Sequence, residues 1–273
     1  MAAFKHLVRF AQGDSIFYGD LIETSGKVHS IRKLLGDPFD KLEATEEIVK
    51  VEKLLCPLAS TPIIICIGLN YKTHAEEAKL TVPKYPAVFT KPADALAGPT
   101  DVIPLHPDAQ SLLDYEGELA VVIRKDAKDV VEADALQYVL GYAASNDVSA
   151  RNYQLPEVSG GQFCYAKSFD KFAPLGHTIT HPSQVSDPIN CRITTKVNGV
   201  VKQDSRTDDL IFGVNKVISH LTRGTTLRKG TVIMTGTPSG VGYFRKEFLA
   251  DGDVVKVEIE GVGRVENTIS YSY

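Results

Sequence analysis

Short runs of β-branched and apolar residues recur along this chain, and they constrain its fold more than any other feature. The first long run, at 62–67, is continuous and ends at Gly68, as expected for a buried strand that leads into a turn. Beyond this run, helical patterns are confined to 71–80, 133–136 and 210–221. Other strand-like runs lie at 87–90, 119–123, 138–144, 191–197, 231–234, 254–259 and 264–270. This ratio predicts an α+β fold that is mostly β, with helices at its edges, rather than a doubly wound sheet.

The segment before the first long run reads as a separate small unit. Between Phe4 and Leu35, short apolar stretches are separated by the turn signals Gly13-Asp14 and Ser25-Gly26. Residues 41–56 place apolar residues among charges, which is compatible with a short amphipathic helix or with a strand preceded by one. We therefore predict a small N-terminal β-rich domain at 1–60 and a larger domain at 61–273.

Charge and cysteine usage narrow the class of partner. The 30 basic and 34 acidic residues are spread along the chain, without the basic face that nucleic acid or an anionic membrane surface requires. The four cysteines lie far apart and form no CxxC pair, which favours buried thiols in a reducing compartment. No apolar run reaches the length of a membrane span, and the N-terminus lacks a signal-peptide pattern. We expect a cytoplasmic protein that acts on a small molecule.

Acidic residues alternate where one strand begins. Asp114, Glu116 and Glu118 recur at every second position and lead into an apolar run, so a strand places them on one face with the two glutamates roughly 6–7 Å apart. Like charges on one face need a metal ion or basic groups beside them. Carboxylates without His or Cys favour a hard cation, Mg²⁺ or alternatively Mn²⁺ or Ca²⁺, over zinc. The alternative is an edge strand whose acids face water.

A third carboxylate follows another strand. The apolar run at 138–144 leads into Asn146 and Asp147, and a carboxylate at the exit of a neighbouring strand can supply a further metal ligand. The alternative is that Asn146 or Asp147 caps a following helix, which is a common use of both residue types.

Five linked motifs resemble the fumarylacetoacetate hydrolase family. The order and spacing match over most of the region from 63 to 269, and the resemblance is to the short branch that includes acylpyruvases, oxaloacetate decarboxylases and tautomerases, and hydroxyheptenedioate isomerases. It implies a mixed β-roll or barrel preceded by a small N-terminal β domain, and a homodimer. The motifs are YEGELAVVI at 115–123, GYAASNDVSAR at 141–151, AKSFDKFAPLG at 166–176, VNGVVKQDSRTDDLIF at 197–212 and GTVIMTGTPSGVG at 230–242.

The resemblance also implies roles for individual residues. It makes Glu116, Glu118 and Asp147 the metal ligands, with Asp114 as an outer or surface acid. His74 and Glu77, three apart on a helix face, match the family's water-activating pair, although such a pair alone is more often a solvated surface pair.

Lys167 matches the family's lysine, which neutralises charge developing on a substrate oxygen; without the family context it would be read as a surface lysine. For substrate binding the resemblance implies Arg151, Gln154 and Thr237, the last in a glycine-rich loop whose amides and hydroxyls could surround a substrate oxygen. Two departures from the family pattern are Asn152, where the family usually has Asp, and the segment 243–248, where relatives often carry prolines.

The function implied by the resemblance is that of a Mg²⁺-dependent hydrolase. It would break a carbon–carbon bond in a small 2-oxo acid of the acylpyruvate type, with enolate charge stabilised by the cation. Decarboxylation of oxaloacetate and tautomerisation of a 2-oxo acid use the same stabilisation, and motif spacing leaves all three open. A non-catalytic binding protein of the same fold is a further alternative.

Overall fold

The computed structural model describes residues 2–185, 188 and 190–272. Within these ranges, strands make up most of the regular structure. The N-terminal strands are β1 (His6–Gln12), β2 (Ser15–Ser25), β3 (Val28–Gly36) and β4 (Leu42–Val51). The central strands are β5 (Ile64–Gly68), β6 (Ala87–Lys91), β7 (Leu96–Ala97), β8 (Val102–Pro104), β9 (Leu113–Asp114), β10 (Gly117–Ile123), β11 (Ala127–Lys128), β12 (Val139–Asn146) and β13 (Ser149–Ala150). The remaining strands are β14 (Ala173–Pro174), β15 (Ile179–Thr180), β16 (Arg192–Val197), β17 (Val200–Arg206), β18 (Thr226–Leu227), β19 (Val232–Met234), β20 (Val254–Ile259) and β21 (Gly263–Ser270).

Helices are short and lie between the strands. The α-helices are α1 (Lys72–Ala78), α2 (Pro156–Ser159), α3 (Val214–Leu221) and α4 (Gly242–Arg245). The 3₁₀ helices are Ala93–Ala95, Pro107–Ala109, Glu132–Tyr138, Arg151–Tyr153, Tyr165–Lys167, Pro182–Gln184 and Thr207–Asp209. In the described part of the chain, none of the helices has the length and apolar character needed to cross a membrane.

A ten-stranded sheet forms the main frame, in the order β4-β3-β2-β1-β15-β12-β10-β19-β5-β6. Its neighbouring strands are antiparallel except for β19 and β5, which run parallel. The sheet ends in the two edge strands β4 and β6, so it is open and the barrel alternative is wrong, whereas the mostly β fold is confirmed. The N-terminal strands join this sheet through the pairing of β1 with β15. The division into domains at residue 60 stays a prediction.

The core lies on both faces of β10, all seven residues of which are buried. Leu119 and Val121 pack in a cluster with Ile193 and Val257 from a second, five-stranded sheet in the order β17-β16-β20-β21-β8. Val122 lies in another cluster together with side chains of β1 and β5. Each fully buried aliphatic side chain of this kind contributes about 1.5–3 kcal/mol. The acidic residues at the start of β10 are therefore built on one of the most completely buried strands of the fold.

The strand runs predicted beyond residue 61 all form strands, and three local predictions need correction. Most of the segment 41–56 forms strand β4 (Leu42–Val51), in which Val49 pairs with Ile31 of β3 and packs against the cluster around Phe10. The helix predicted at 133–136 is a 3₁₀ helix, and the one predicted at 210–221 begins only at Val214, because Leu210 pairs with Tyr71 in a β-bridge. Of the four cysteines, Cys66 and Cys191 are buried, and Cys56 and Cys164 are partly buried.

Candidate active site

The antiparallel pairing of β10 with β12 brings the three predicted metal ligands together. In this pairing Gly117 lies opposite Asn146. Glu116 makes two hydrogen bonds to the end of β12: its amide donates to Asn146 Oδ1 (2.9 Å), and its carbonyl accepts from the Asp147 amide (2.8 Å). Each of the three residues Glu116, Glu118 and Asp147 offers one carboxylate oxygen, and these three oxygens lie within 4.8 Å of one another. All three residues are buried, so the alternative of a solvated edge strand is wrong. Asn146 serves this strand pairing instead of capping a helix.

Three buried cations lie against these acids. Lys167 Nζ contacts Glu116 Oε2 at 2.8 Å and Asp147 Oδ2 at 2.7 Å, and it also donates to Ser149 Oγ. Arg151 bridges Glu116 Oε1 (2.5 Å) and Asp114 Oδ2 (2.8 Å). Lys91 Nζ lies 2.6 Å from the second oxygen of Asp147. Lys167 is 2% exposed, which contradicts its reading as a surface lysine.

Glu118 differs from the other carboxylates in having no such partner. Within the described residues, no ammonium or guanidinium group lies within ion-pair distance of it, and its Oε2 accepts one hydrogen bond, from the Gly236 amide at 2.7 Å. Burial, with the nearby charges of Asp147 and Glu116, raises the pKa of Glu118 well above its usual range. Three clustered carboxylates, one of them uncompensated, form an oxygen donor set that fits a hard divalent cation.

The neighbouring groups stay charged. Burial alone would raise the pKa of Glu116, but Lys167 and Arg151 outweigh it and hold that pKa well below its usual range. Burial opposes the charge on Lys167 as well, yet Asp147 and Glu116 raise the pKa of its ammonium. Lys167 is therefore a protonated donor at the edge of the acidic cluster.

A glycine-rich loop between β19 and α4 holds the acids of the site through its backbone amides. Gly236 donates to Glu118, Gly240 to Glu77 Oε1 (3.0 Å) and Gly242 to Asp114 Oδ1 (2.7 Å). Gly240 has a φ of +101°, and a Cβ there would lie 2.3 Å from a backbone oxygen, so only glycine fits. These amides thus position protein carboxylates, whereas the sequence suggested that they would surround a substrate oxygen.

Helix α1 presents the predicted proton-transfer pair. His74 Nδ1 lies 3.1 Å from Glu77 Oε2, and both side chains are partly exposed. The start of the helix is held from a distant segment, because Asp209 Oδ2 accepts from both the amide and the hydroxyl of Thr73. The ring of Phe244 stands edge-on to His74, with centroids 5.8 Å apart.

The predicted substrate-binding residues lie beside the acidic cluster, where they already form hydrogen bonds with other protein groups. Arg151 donates to Asp114 and Glu116 and also, through Nη1, to Gln154 Oε1 at 2.7 Å. The Thr237 hydroxyl donates to the Gly117 carbonyl at 3.0 Å. Contacts of Arg151, Gln154 and Thr237 with a substrate stay predictions.

The two departures from the family pattern have local explanations. Asn152 Nδ2 donates to the carbonyl of Asp108 at 2.8 Å, a bond that an aspartate could not make. In the segment 243–248, the ring of Tyr243 lies 5.9 Å from the Arg151 guanidinium, and Phe244 lies against His74. Aromatic side chains therefore cover the site on this side.

Two buried residues of the site, Gln203 and Lys91, escaped the sequence reasoning, whereas Asp114, expected as an outer or surface acid, is fully buried and orients Arg151. Gln203 bonds Gly117, Thr237 and Pro238 in one network. Alternation in the strand at 87–91 places Lys91 on the same inward face as Phe89, and that signal could have identified it.

Comparison with known proteins identifies the family of this chain. A family model described as fumarylacetoacetate (FAA) hydrolase C-terminal matches residues 63–270. The chain belongs to the fumarylacetoacetate hydrolase family. The acidic cluster, the His74–Glu77 pair and Lys167 all lie within the matched region.

Similar members of the fumarylacetoacetate hydrolase family carry several activity names. A fumarylacetoacetate hydrolase domain-containing protein of Dictyostelium discoideum is 48% identical over 217 residues, covering 76% of this chain and 70% of that protein. A mitochondrial oxaloacetate tautomerase of Xenopus laevis is 42% identical over 218 residues, which cover 79% of this chain and 68% of that protein. The solved 5-carboxymethyl-2-hydroxymuconate delta-isomerase of Mycobacterium smegmatis is 34% identical, with a TM-score of 0.84 over 97% of this chain and 99% of that one. These proteins support an enzyme of this family.

Proposed function

We propose that this enzyme interconverts the keto and enol forms of a small 2-oxo acid such as oxaloacetate, at a Mg²⁺ site formed by Glu116, Glu118 and Asp147. The observation that carries the proposal is the uncompensated Glu118 carboxylate in a buried acidic cluster, in the same site as a proton-transfer pair. The tautomerase names of relatives such as the Xenopus laevis protein support the choice of reaction.

The metal would serve one purpose in this reaction. A divalent cation held by the three carboxylates would supply positive charge that stabilises negative charge on the 2-oxo oxygen of the substrate. Mn²⁺ and Ca²⁺ share the preference for oxygen ligands; we propose Mg²⁺ because it needs few protein carboxylates and takes water or substrate oxygens as its other ligands. The localisation and the homodimer stay predictions, and the names of the animal relatives place those proteins in mitochondria.

The protein would carry the proton transfers itself. The His74 imidazole takes a proton from C3 of the substrate, and the electrons of that C–H bond form the C2–C3 double bond of the enol. Glu77, held by Gly240, orients the imidazole and stabilises its positive charge. The proton is then delivered to the 2-oxo oxygen, so the reaction is balanced without a co-reactant. The positive charge of buried Lys167 would stabilise negative charge that develops on a substrate oxygen, and Arg151, Gln154 and Thr237 would orient the acid.

Hydrolysis of an acylpyruvate is the second candidate. The contacts of Glu77 favour this reaction, because one of its carboxylate oxygens contacts His74 and the other accepts a hydrogen bond from Gly240. A carboxylate fixed in this way suits a His–Glu pair that deprotonates water. Hydroxide would add to the distal carbonyl, the carbon–carbon bond would break, and a carboxylic acid and pyruvate would leave after protonation. Decarboxylation of oxaloacetate would need no attacking water.

Three assays of one purified preparation separate these reactions. With Mg²⁺ we expect rapid loss of the enol absorbance of oxaloacetate, with slower release of CO₂ from oxaloacetate and slower cleavage of acetylpyruvate. EDTA and Glu118→Gln should abolish the tautomerase signal, and His74→Gln should lower it at least 100-fold.

His181→Gln, at a partly exposed histidine outside the site, is the matched control and should leave the rate unchanged. Cleavage of acetylpyruvate faster than tautomerisation would support the hydrolase instead. Full activity in EDTA would refute the metal site, and Mg²⁺ binding without turnover of any of these substrates would favour a non-catalytic binding protein.

A further inference from the structure

We propose that Lys91 is a positioning residue that orients Asp147 toward the cation and thereby favours Mg²⁺ over larger ions. This inference rests on the proposed metal site. It concerns a residue that carries no role in the reaction above, and it follows from three observations: the complete burial of Lys91, the contacts of its ammonium, and the oxygen of Asp147 that those contacts engage.

Lys91 is fully buried at the end of edge strand β6, where it packs near the ring of Phe172. A lysine in such a position is costly unless its ammonium is paired and hydrogen-bonded. Its Nζ donates hydrogen bonds to the carbonyls of Val148 (3.1 Å) and Phe172, and it forms an ion pair with Asp147 Oδ1 at 2.6 Å. Because the ammonium is fully buried between Asp147 and these two backbone carbonyls, Lys91 acts through Asp147 and not by contact with a substrate.

The contacts of Lys91 define the direction of the Asp147 carboxylate. Lys91 engages Oδ1, while Oδ2 lies beside Lys167, which also contacts Glu116. Oδ2 is therefore the oxygen on the side of the acidic cluster. Because Lys91 also binds the carbonyl of Val148, it holds the side chain of Asp147 and the adjacent backbone at once. Rotation of the carboxylate about its terminal bond would break the Lys91 contact.

Orientation and charge predict opposite effects, which makes the role testable. As a positive charge near the site, Lys91 repels any divalent cation, so its loss by charge alone would tighten the binding of all of them. As a positioning residue it matters most for Mg²⁺, which demands near-ideal octahedral geometry, and less for Ca²⁺, whose coordination is flexible. A merely structural role would change stability and leave the preference between the two ions unaltered.

The experiment is calorimetric titration of the full chain with Mg²⁺ and, separately, with Ca²⁺. For Lys91→Met we expect the Mg²⁺ dissociation constant to rise at least tenfold and that of Ca²⁺ to change less than about threefold. Lys33→Met is the matched control, since Lys33 is also largely buried and ion-paired, with Glu47, but far from the site; both constants should stay unchanged. Equal changes for the two ions, tighter binding of both, or no change would each overturn the proposal.

A double-mutant cycle tests whether Lys91 acts through Asp147. Asp147→Asn should weaken Mg²⁺ binding by itself, and adding Lys91→Met should weaken it less than twofold further; multiplied losses would overturn the proposal. If Lys91→Met does not fold, Lys91→Gln keeps a donor toward Asp147 and should show the same change in preference to a smaller degree. A wild-type protein that binds no Mg²⁺ would refute the proposed function, whereas wild-type binding by Lys91→Met would refute this inference alone.

Discussion

Glu116 and Glu118, two residues apart, should respond to the same substitution with opposite changes in stability. The perturbation is Glu→Gln at each position in metal-free protein. Glu118 has no cation partner within the described residues, while its carboxylate lies within 4.8 Å of two others. Glu116 is paired with both Lys167 and Arg151. Glu118→Gln therefore relieves repulsion, whereas Glu116→Gln leaves two buried cations short of a partner.

The magnitudes follow from these contacts. At an effective dielectric constant of about 20, two like charges at 4.8 Å repel by about 3 kcal/mol. Attraction to Lys167 and the raised pKa of Glu118 offset part of that repulsion, so we expect Glu118→Gln to stabilise the metal-free protein by about 1–3 kcal/mol. The glutamine carbonyl can still accept from Gly236, and its amide can donate to the remaining carboxylates. For Glu116→Gln, removing one partner of a buried ion pair should cost about 3–5 kcal/mol.

Thermal melting in EDTA at pH 7.5 measures both changes. In a chain of this size about 1 kcal/mol corresponds to about 2–4 °C, so Tm should rise by about 2–12 °C for Glu118→Gln and fall by about 6–20 °C for Glu116→Gln. Mg²⁺ should raise the Tm of the wild type and of neither variant, because both lack a ligand. A lower Tm for Glu118→Gln than for the wild type in EDTA would refute the charge balance inferred here. An undiminished Mg²⁺ shift in either variant would refute the ligand assignment.

Two further predictions concern the loop and the histidines. Gly240→Ala should place a Cβ 2.3 Å from the Lys202 carbonyl and displace the amide that binds Glu77. We therefore expect kcat to fall about 10–100-fold, while calorimetry shows normal Mg²⁺ affinity. Gly224→Ala is the control, since Gly224 also has a positive φ but a Cβ there would meet open space, and this variant should keep its kcat. Burial lowers the pKa of His177 in the folded protein, so the unfolded chain takes up a proton at this histidine before the folded protein does as the pH falls. The stability that the neutral imidazole allows above pH 6.5 is therefore lost as the pH falls below that value. His177→Gln should therefore flatten the fall in Tm between pH 7.5 and 5.5, and a slope equal to that of the wild type would contradict this assignment.

Local patterns were sufficient for most of the strands. Alternation and β-branched runs depend on neighbours two to five residues away, so the strands around 64–68, 117–123 and 139–146 could be predicted without knowing what packs on them. The segment 41–56 was ambiguous because its apolar residues fit two periodicities. Its strand form depends on pairing with β3, which belongs to another part of the chain.

In the candidate site, too, some features could be predicted from the sequence and others could not. The acids at 116, 118 and 147 could be selected from motifs, and their convergence follows from the register of β10 against β12. The hold of the glycine-rich loop on Glu77 and Asp114 could not be predicted, because Gly240 and Gly242 lie more than 120 residues away from those acids. Their glycine pattern indicated close approach of the backbone but not which group approaches.

The sequence by itself determined which residue types are available at the site: three carboxylates in strand-end positions, a histidine and glutamate one helical turn apart, and a lysine beside apolar residues. Tertiary structure alone decided how their charges are shared. Glu116 and Glu118 have the same chemistry and nearly the same position in sequence, but Lys167 and Arg151 reach only the first of them. Ion pairing depends on distances of a few ångströms between side chains from different elements, and the pairing of distant strands sets those distances.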